Sequence, residues 1–301
     1  MRRAIVPVAS MLAIQVMISL SVLSLSVMMP AVASDLAIDP KLVGVFTALI
    51  YAVATIASLA AAGPIVRLGA VRVCQVALLV GAAGLALNSL ALVAATVGAV
   101  LLIGVAQGPT NPASAHILAQ RVPREYFGMV FSVKQTGTPL GFALAGILFP
   151  ALLEWVGWRG ASLIAAAMLV VAAILIEPLR PRLDVVTVAD RPKRSIWRSI
   201  QFVLAHPQLR VLGCSAFVFV VAQHTFTFYL VTYLYEHCGL SIARAGFLLF
   251  LSQIVGAAVR LVSGGLGDRM PRMKLLGWTG LGMAVGSTAR SEEHTSELQS
   301  H

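Results

Sequence analysis

Residues 264–274 read Gly264-Gly265-Leu266-Gly267-Asp268-Arg269-Met270-Pro271-Arg272-Met273-Lys274 and follow a long apolar run. A degenerate copy of this stretch lies 202 positions earlier and reads Ala62-Gly63-Pro64-Ile65-Val66-Arg67-Leu68-Gly69-Ala70-Val71-Arg72. The offset pairs Gly265 with Gly63, Arg269 with Arg67 and Lys274 with Arg72, and it also pairs Gly246 with Gly44. Each copy joins two apolar runs of membrane length. The pattern therefore predicts a bundle of helices that occurs twice in the same orientation.

The composition is that of a membrane protein. The mean hydropathy is +0.89, 58% of the residues are hydrophobic and 11% are charged, whereas a soluble domain has about 25% charged residues. Unbroken apolar runs, which lack the alternation of a membrane barrel, predict helices that cross a core of ~30 Å. We number the predicted spans 1 to 8: 5–29, 42–62, 73–90, 93–118, 127–152, 159–178, 210–235 and 243–265. A ninth begins near Leu275 and is cut short.

The positive charge follows the predicted topology. With Met1 in the cytoplasm, sixteen Lys and Arg residues fall inside, and only Lys41, Arg159 and Arg244 fall outside. The positive-inside rule explains a net charge of +10. We therefore expect a multi-pass protein of the bacterial inner membrane with the lipid bilayer as partner, and no nucleic acid.

The C-terminal stretch differs from the rest of the chain. A natural polar tail is one interpretation, but residues 290–300 resemble the translation of a common sequencing adapter, and the join interrupts the ninth span. The adapter interpretation predicts an artefactual polar tail over 290–301 and a natural protein that continues past Ala289. It leaves open that the 301-residue chain alone is inactive.

The loop motif resembles one in the major facilitator superfamily (MFS), and the chain is similar to a C-terminally truncated permease of the bacterial type. The family carries G-x-L-a-D-r-x-G-r-k between helices 2 and 3, with an echo between helices 8 and 9. Gly264, Leu266, Asp268, Arg269 and Arg272 match the echo. The resemblance implies an all-α membrane protein with two six-helix lobes, twelve helices in the full-length parent, and here about eight plus part of a ninth. It predicts an N-terminal lobe over 1–179, a basic cytoplasmic linker over 180–208 and an incomplete second lobe over 209–289.

Three departures from the family pattern bear on mechanism. Val66 stands where the first loop copy would carry its Asp. Span 5 keeps Gly128, Gly137, Gly141 and Gly146 of the family's antiporter motif, but Phe142 replaces its Pro. Gly104 stands in span 4 where proton-exchanging members often carry Arg. The last departure weakens the interpretation as a drug/proton antiporter.

A transport site requires polar side chains near the midplane between the lobes. Span 1 carries Gln15, Ser19 and Ser26 on one face, and span 4 carries Gln107 and Asn111 on one face. Two interpretations remain open for both spans: a solute cavity, or interhelical hydrogen bonds that only stabilise the bundle.

Lys134 is the most informative single residue. It lies about 10 Å into span 5, where an ammonium costs at least ~3 kcal/mol. The functional interpretation is a counter-charge for an anionic substrate. The alternative is a side chain that snorkels to the inner surface. Gly137 and Gly141 are expected to permit close helix packing.

Span 7 carries Gln223 and His224, which we predict to contact substrate, although a structural role for the imidazole is equally open. Arg260 lies near the inner end of span 8 and is predicted to pair with Asp268. The predicted gating loop set is Arg67, Arg72, Arg260, Asp268, Arg269 and Arg272.

The sequence thus predicts a secondary transporter for a small solute, of which an organic anion is the working hypothesis. The predicted substrate-binding set is Lys134, Gln15, Gln107, Asn111, Gln223 and His224. Drug/proton efflux and a non-transporting membrane sensor or structural protein are the alternatives. We expect no enzyme, catalytic residue, metal or cofactor. Protons remain open as partners, although the predicted spans contain no deep Asp or Glu.

Overall fold

The computed structural model describes residues 2–122, 126–184, 196–267, 277, 278 and 280–282. Within these ranges every regular element is helical, which confirms the predicted fold class. The α-helices are α1 Arg2–Leu36, α2 Val43–Ala60, α3 Ala62–Leu68, α4 Ala70–Asn88, α5 Val93–Arg121, α6 Phe127–Gln135, α7 Gly137–Ile176, α8 Arg180–Leu183, α9 Ile196–Ala205, α10 Pro207–Glu236 and α11 Ile242–Gly267. Short 3₁₀ turns occupy Pro40–Leu42 and Glu177–Leu179.

Seven segments of the described chain are long and apolar enough to cross a membrane. The segment Gly128–Leu179 has 52 residues, more than twice the ~20 that one crossing needs. Its backbone leaves helical geometry at Gly157, where φ is 67° and ψ is 176°. Since positive φ suits glycine, this break separates the segment into the two predicted spans 5 and 6.

Helix α1 runs through the middle of the bundle. Ile18, Leu23 and Met28 are fully buried, and α1 packs mainly against α5 and α7. The peripheral faces are also apolar, as Ile174 and Leu175 illustrate, with more than 60% of each residue exposed. An apolar exterior of this kind suits helices whose solvent is lipid.

Glycines set the closest helix contacts around α1 and α2. A Cβ on Gly137 would lie 2.8 Å from the Cβ of Gln15, and one on Gly141 would lie 2.7 Å from that of Ser19. The predicted packing role of both glycines is confirmed. A Cβ on Gly104 would lie 2.8 Å from the Ile50 carbonyl oxygen. The family's Arg is therefore excluded here by the close approach of α2.

The bundle has two ends. The basic end carries Arg67, Arg72, Arg121 and Arg180, and the opposite end carries Asp35, Lys41, Arg159 and Arg244. At the opposite end, Gly146 of α7 meets Gly246 of α11 backbone to backbone. There the Tyr229 hydroxyl of α10 fills the space beside Gly44 of α2 and donates to the Lys41 carbonyl at 3.3 Å. The helices on either side of the predicted linker thus touch closely at this end.

Candidate functional site

Lys134 lies in the last turn of α6, just before the junction with α7. Its side chain is fully buried. The ammonium Nζ donates to Asn111 Oδ1 of α5 at 2.5 Å and to Gln135 Oε1 at 3.3 Å. Among the described residues no carboxylate pairs with it. The ammonium is therefore held by amide dipoles inside the bundle, and it does not snorkel to a surface.

Asn111 connects this buried charge with the exterior of the described chain. The residue itself is exposed, and α5 continues unbroken through Pro109 and Pro112 on either side of it. Gln107, one turn earlier, has a buried amide oxygen without a hydrogen-bond partner. Gln107 therefore lies on the same face of α5 as Asn111, the residue that contacts Lys134.

Gln15 also reaches this region, but in a packed setting. It is fully buried and donates through Nε2 to Ser19 Oγ at 3.2 Å, while its Oε1 has no partner. The Gly137 backbone lies directly against its side chain. In this conformation the polar stripe of α1 is therefore part of the helix packing, as the interhelical alternative expects.

Gln223 and His224 belong to a second cluster, on α10. His224 Nδ1 contacts the Val220 carbonyl at 2.9 Å, and its ring meets Tyr51 edge-on at a centroid distance of 4.6 Å. The same ring stacks on Phe228 at 5.7 Å. Since Tyr51 lies on α2, the imidazole sits in an aromatic contact between α2 and α10. No hydrogen bond between described residues joins this cluster to Lys134.

Arg260 was predicted to pair with Asp268, which lies outside the described residues, as do Arg269 and Arg272. In the described part of the chain, the Arg260 Nη2 donates to Gln223 Oε1 at 3.4 Å. This contact was missed because the two residues lie 37 positions apart on different helices. The available signal was an arginine inside an apolar run, which must find polar partners.

Two of the three described members of the predicted gating set, Arg67 and Arg72, lie at the basic end. Arg72 pairs with Glu177 at 3.2 Å, and Arg67 lies in the last turn of α3. Sequence reasoning missed Asp184, whose Oδ1 accepts the Val71 N–H at 2.8 Å across the chain. Its carboxylate also fills the space beside Gly69, whose φ is 89°. The Asp184 carboxylate therefore lies against the first loop copy, in which Val66 stands at the position of the motif's Asp.

Comparison with known proteins identifies the family. The Major Facilitator Superfamily profile matches residues 11–289. Two uncharacterized MFS-type transporters from two strains of Mycobacterium tuberculosis are 30% identical over 183 residues, covering 58% of this chain and 39% of each relative. The nitrite extrusion protein of Bacillus subtilis is 27% identical over 188 residues, covering 62% of this chain and 44% of that protein. The chain thus spans about two fifths of the length of these curated relatives. It belongs to the Major Facilitator Superfamily, a family of transporters, and is an integral multi-pass membrane protein.

Proposed function

We propose that the chain forms part of a secondary transporter that moves a small anion across the inner membrane by alternating access. Residues 1–179 would form one lobe, 180–208 the linker and 209–289 the start of the second lobe. The observation that carries the proposal is Lys134, a fully buried ammonium without a carboxylate partner among the described residues.

The energetics favour an anion as the missing partner. An uncompensated ammonium inside a membrane costs at least ~3 kcal/mol, and neutral amide oxygens compensate only part of its charge. An anion that displaced the Asn111 or Gln135 contact would restore full compensation. Because Asn111 is exposed, it offers a polar route to the ammonium. Gln15, Gln107, Asn111, Gln223 and His224 would supply hydrogen bonds.

The comparisons and the charge distribution support the same proposal. One relative is named for the extrusion of nitrite, itself a small anion. Lys and Arg residues gather at one end of the bundle, so the positive-inside rule favours a cytoplasmic basic end and a cytoplasmic N-terminus. In that orientation Lys134 lies closer to the cytoplasm than to the outer surface.

Uptake and efflux of labelled anions in proteoliposomes would test the proposal, with the full-length protein that contains residues 1–289. Lys134→Ala is expected to abolish anion transport, and Lys134→Arg to retain part of it because the charge remains. Lys41→Ala is the matched control, since Lys41 lies exposed at the opposite end. Unchanged transport and unchanged charge selectivity in Lys134→Ala would refute the anion assignment.

A second candidate is the efflux of apolar or cationic drugs. It is favoured by an open groove of about 510 Å³ among α2, α3, α4 and α5, whose lining side chains, among them Val53, Ile56, Val76 and Val105, are all apolar. Ala60→Phe would narrow that groove. Lower drug resistance of a pump-deleted host carrying this variant, with anion transport unchanged, would favour the drug function over the anion function.

A further inference from the structure

We propose that Arg260 is a second cation of the same site and that the substrate is a small dianion with a negative group at each end. This inference rests on the proposed function, because it assigns the second charge that the transported anion would meet. It also moves Arg260 from the predicted gating set to the substrate-binding set.

The helix register brings the two cations to the same depth. Gly146 and Gly246 meet at the opposite end, and α11 runs from there toward the basic end beside α7 and α6. Lys134 lies twelve residues before Gly146, and Arg260 lies fourteen residues after Gly246. At ~1.5 Å per residue, the two levels differ by only about 3 Å. One cation therefore belongs to each proposed lobe at one level of the bundle.

Arg260 lies on the interior face of its helix. Where burial is described in α11, the buried residues are Ala245, Gly246, Leu249, Gln253 and Ala257, and half-buried Arg260 follows Ala257 three residues later on the same face. Gln253 donates to Thr227 of α10 at 3.4 Å, so the same face also carries the neighbouring polar contact. The guanidinium accordingly reaches Gln223 of α10, away from the lipid-exposed side of the helix.

The Arg260 guanidinium has more N–H donors than its described contacts use. Of its five N–H groups, one bonds to Gln223, and within the described ranges no carboxylate pairs with Arg260. The ion pairs of the described chain instead engage Arg72, Arg159 and Arg180. Among the described residues, two interior cations thus lie at one level, one on each side of the predicted linker, with only amide partners.

The two side chains fit the two ends of one dianion. A guanidinium binds a carboxylate through two parallel hydrogen bonds, whereas an ammonium acts as a point charge. A monoanion would neutralise one cation and leave the other uncompensated inside the membrane, which is unfavourable. A substrate with two carboxylate-like ends would neutralise both and would bridge the two lobes, as a central transport site requires.

The test compares pairs of straight-chain mono- and dicarboxylates with equal carbon number, such as butyrate and succinate, in proteoliposomes with the full-length protein. The wild type is expected to transport the dicarboxylate preferentially. Arg260→Gln is expected to lower dicarboxylate transport by about tenfold or more, the loss of one charge-assisted contact, with little change for the monocarboxylate. Arg260→Lys should recover part of the dicarboxylate transport. Arg244→Gln, on the same helix but exposed at the opposite end, should change neither.

A second measurement distinguishes substrate binding near Arg260 from a purely structural effect of its substitution. With both cations kept, succinate should protect Ala257→Cys, one turn before Arg260 on the same helix, from a neutral thiol reagent, and butyrate should protect it less. Equal loss of both substrates in Arg260→Gln, no loss of either, or the same selective loss in Asp268→Asn would overturn the role of Arg260. If Lys134→Ala is also without effect, or if the wild type transports neither acid of any pair, the anion proposal itself fails.

Discussion

At the scale of single residues, the contact between Lys134 and Asn111 makes a stability prediction. Asn111→Ala removes the nearer acceptor of a buried ammonium, at 2.5 Å, so we expect a loss of about 1.5–3 kcal/mol in the free energy of unfolding. Denaturant unfolding in detergent micelles would measure it. Gln120→Ala on the exposed end of the same helix is the control, and equal effects of the two substitutions would contradict the role of Asn111.

The same residues show which parts of the candidate site could be predicted from the sequence and which could not. Lys134 could be singled out because a charge inside an apolar run is costly whatever surrounds it. Its partner Asn111, 23 positions away, could be placed on the correct helix face but not in contact. Asp184 could not be predicted, since its contact with Val71 spans 113 positions and depends on the folded path of the chain.

At the scale of the elements, the turn between α3 and α4 offers a matched pair of glycines. Gly69 has a φ of 89°, and a side chain there would overlap the Asp184 carboxylate. Gly63, in the same loop copy, has open space around it and no positive φ. Gly69→Ala is expected to destabilise the protein by at least about 1–2 kcal/mol, because a side chain is strained at positive φ. Unfolding measurements should show a smaller change for Gly63→Ala, and equal changes would refute the assignment.

A second pair tests the packing of α11 against α7. A Cβ on Gly246 would overlap the Gly146 backbone, whereas Gly256 of the same helix has nothing within 4 Å. Gly246→Ala is therefore expected to cost about 1–3 kcal/mol through overpacking. Gly256→Ala should be nearly neutral or slightly stabilising, because alanine favours helix. Thermal unfolding of both variants checks this prediction, which would be wrong if the two ranked in the reverse order.

The helices themselves were well predicted, and their ends less well. Eight apolar runs located the spans because length and hydropathy alone decide whether a segment crosses a membrane. The prediction of 5–29 for span 1 fell short of Arg2–Leu36, because the continuation through Pro30 and Ser34 carries no strong apolar signal. The turn at Gly157, by contrast, lay in the predicted gap between spans 5 and 6.

At the scale of the whole molecule, the sequence repeat coincides with the tightest contacts across the proposed lobes. The 202-residue offset pairs Gly44 with Gly246. Gly44 meets Tyr229 of α10, and Gly246 meets Gly146 of α7. Both repeat positions thus contact helices from the other side of the predicted linker, at the opposite end. A duplicated bundle closed at that end would have such an arrangement.

This arrangement predicts that the opposite end must open during transport. In a background with Cys74, Cys214 and Cys238 replaced by serine, the pair Lys41→Cys and Tyr229→Cys should be joined by a short bifunctional methanethiosulfonate reagent, since the long Tyr229 side chain spans the gap to the Lys41 carbonyl. Cross-linking should stop transport, because alternating access separates the lobes there, and reduction should restore it.

Asp35→Cys with Arg159→Cys is the matched control, because that ion pair of 3.4 Å joins helices of one proposed lobe. Its cross-link should leave transport largely intact. Continued transport with the first pair fully cross-linked would show that this end does not open.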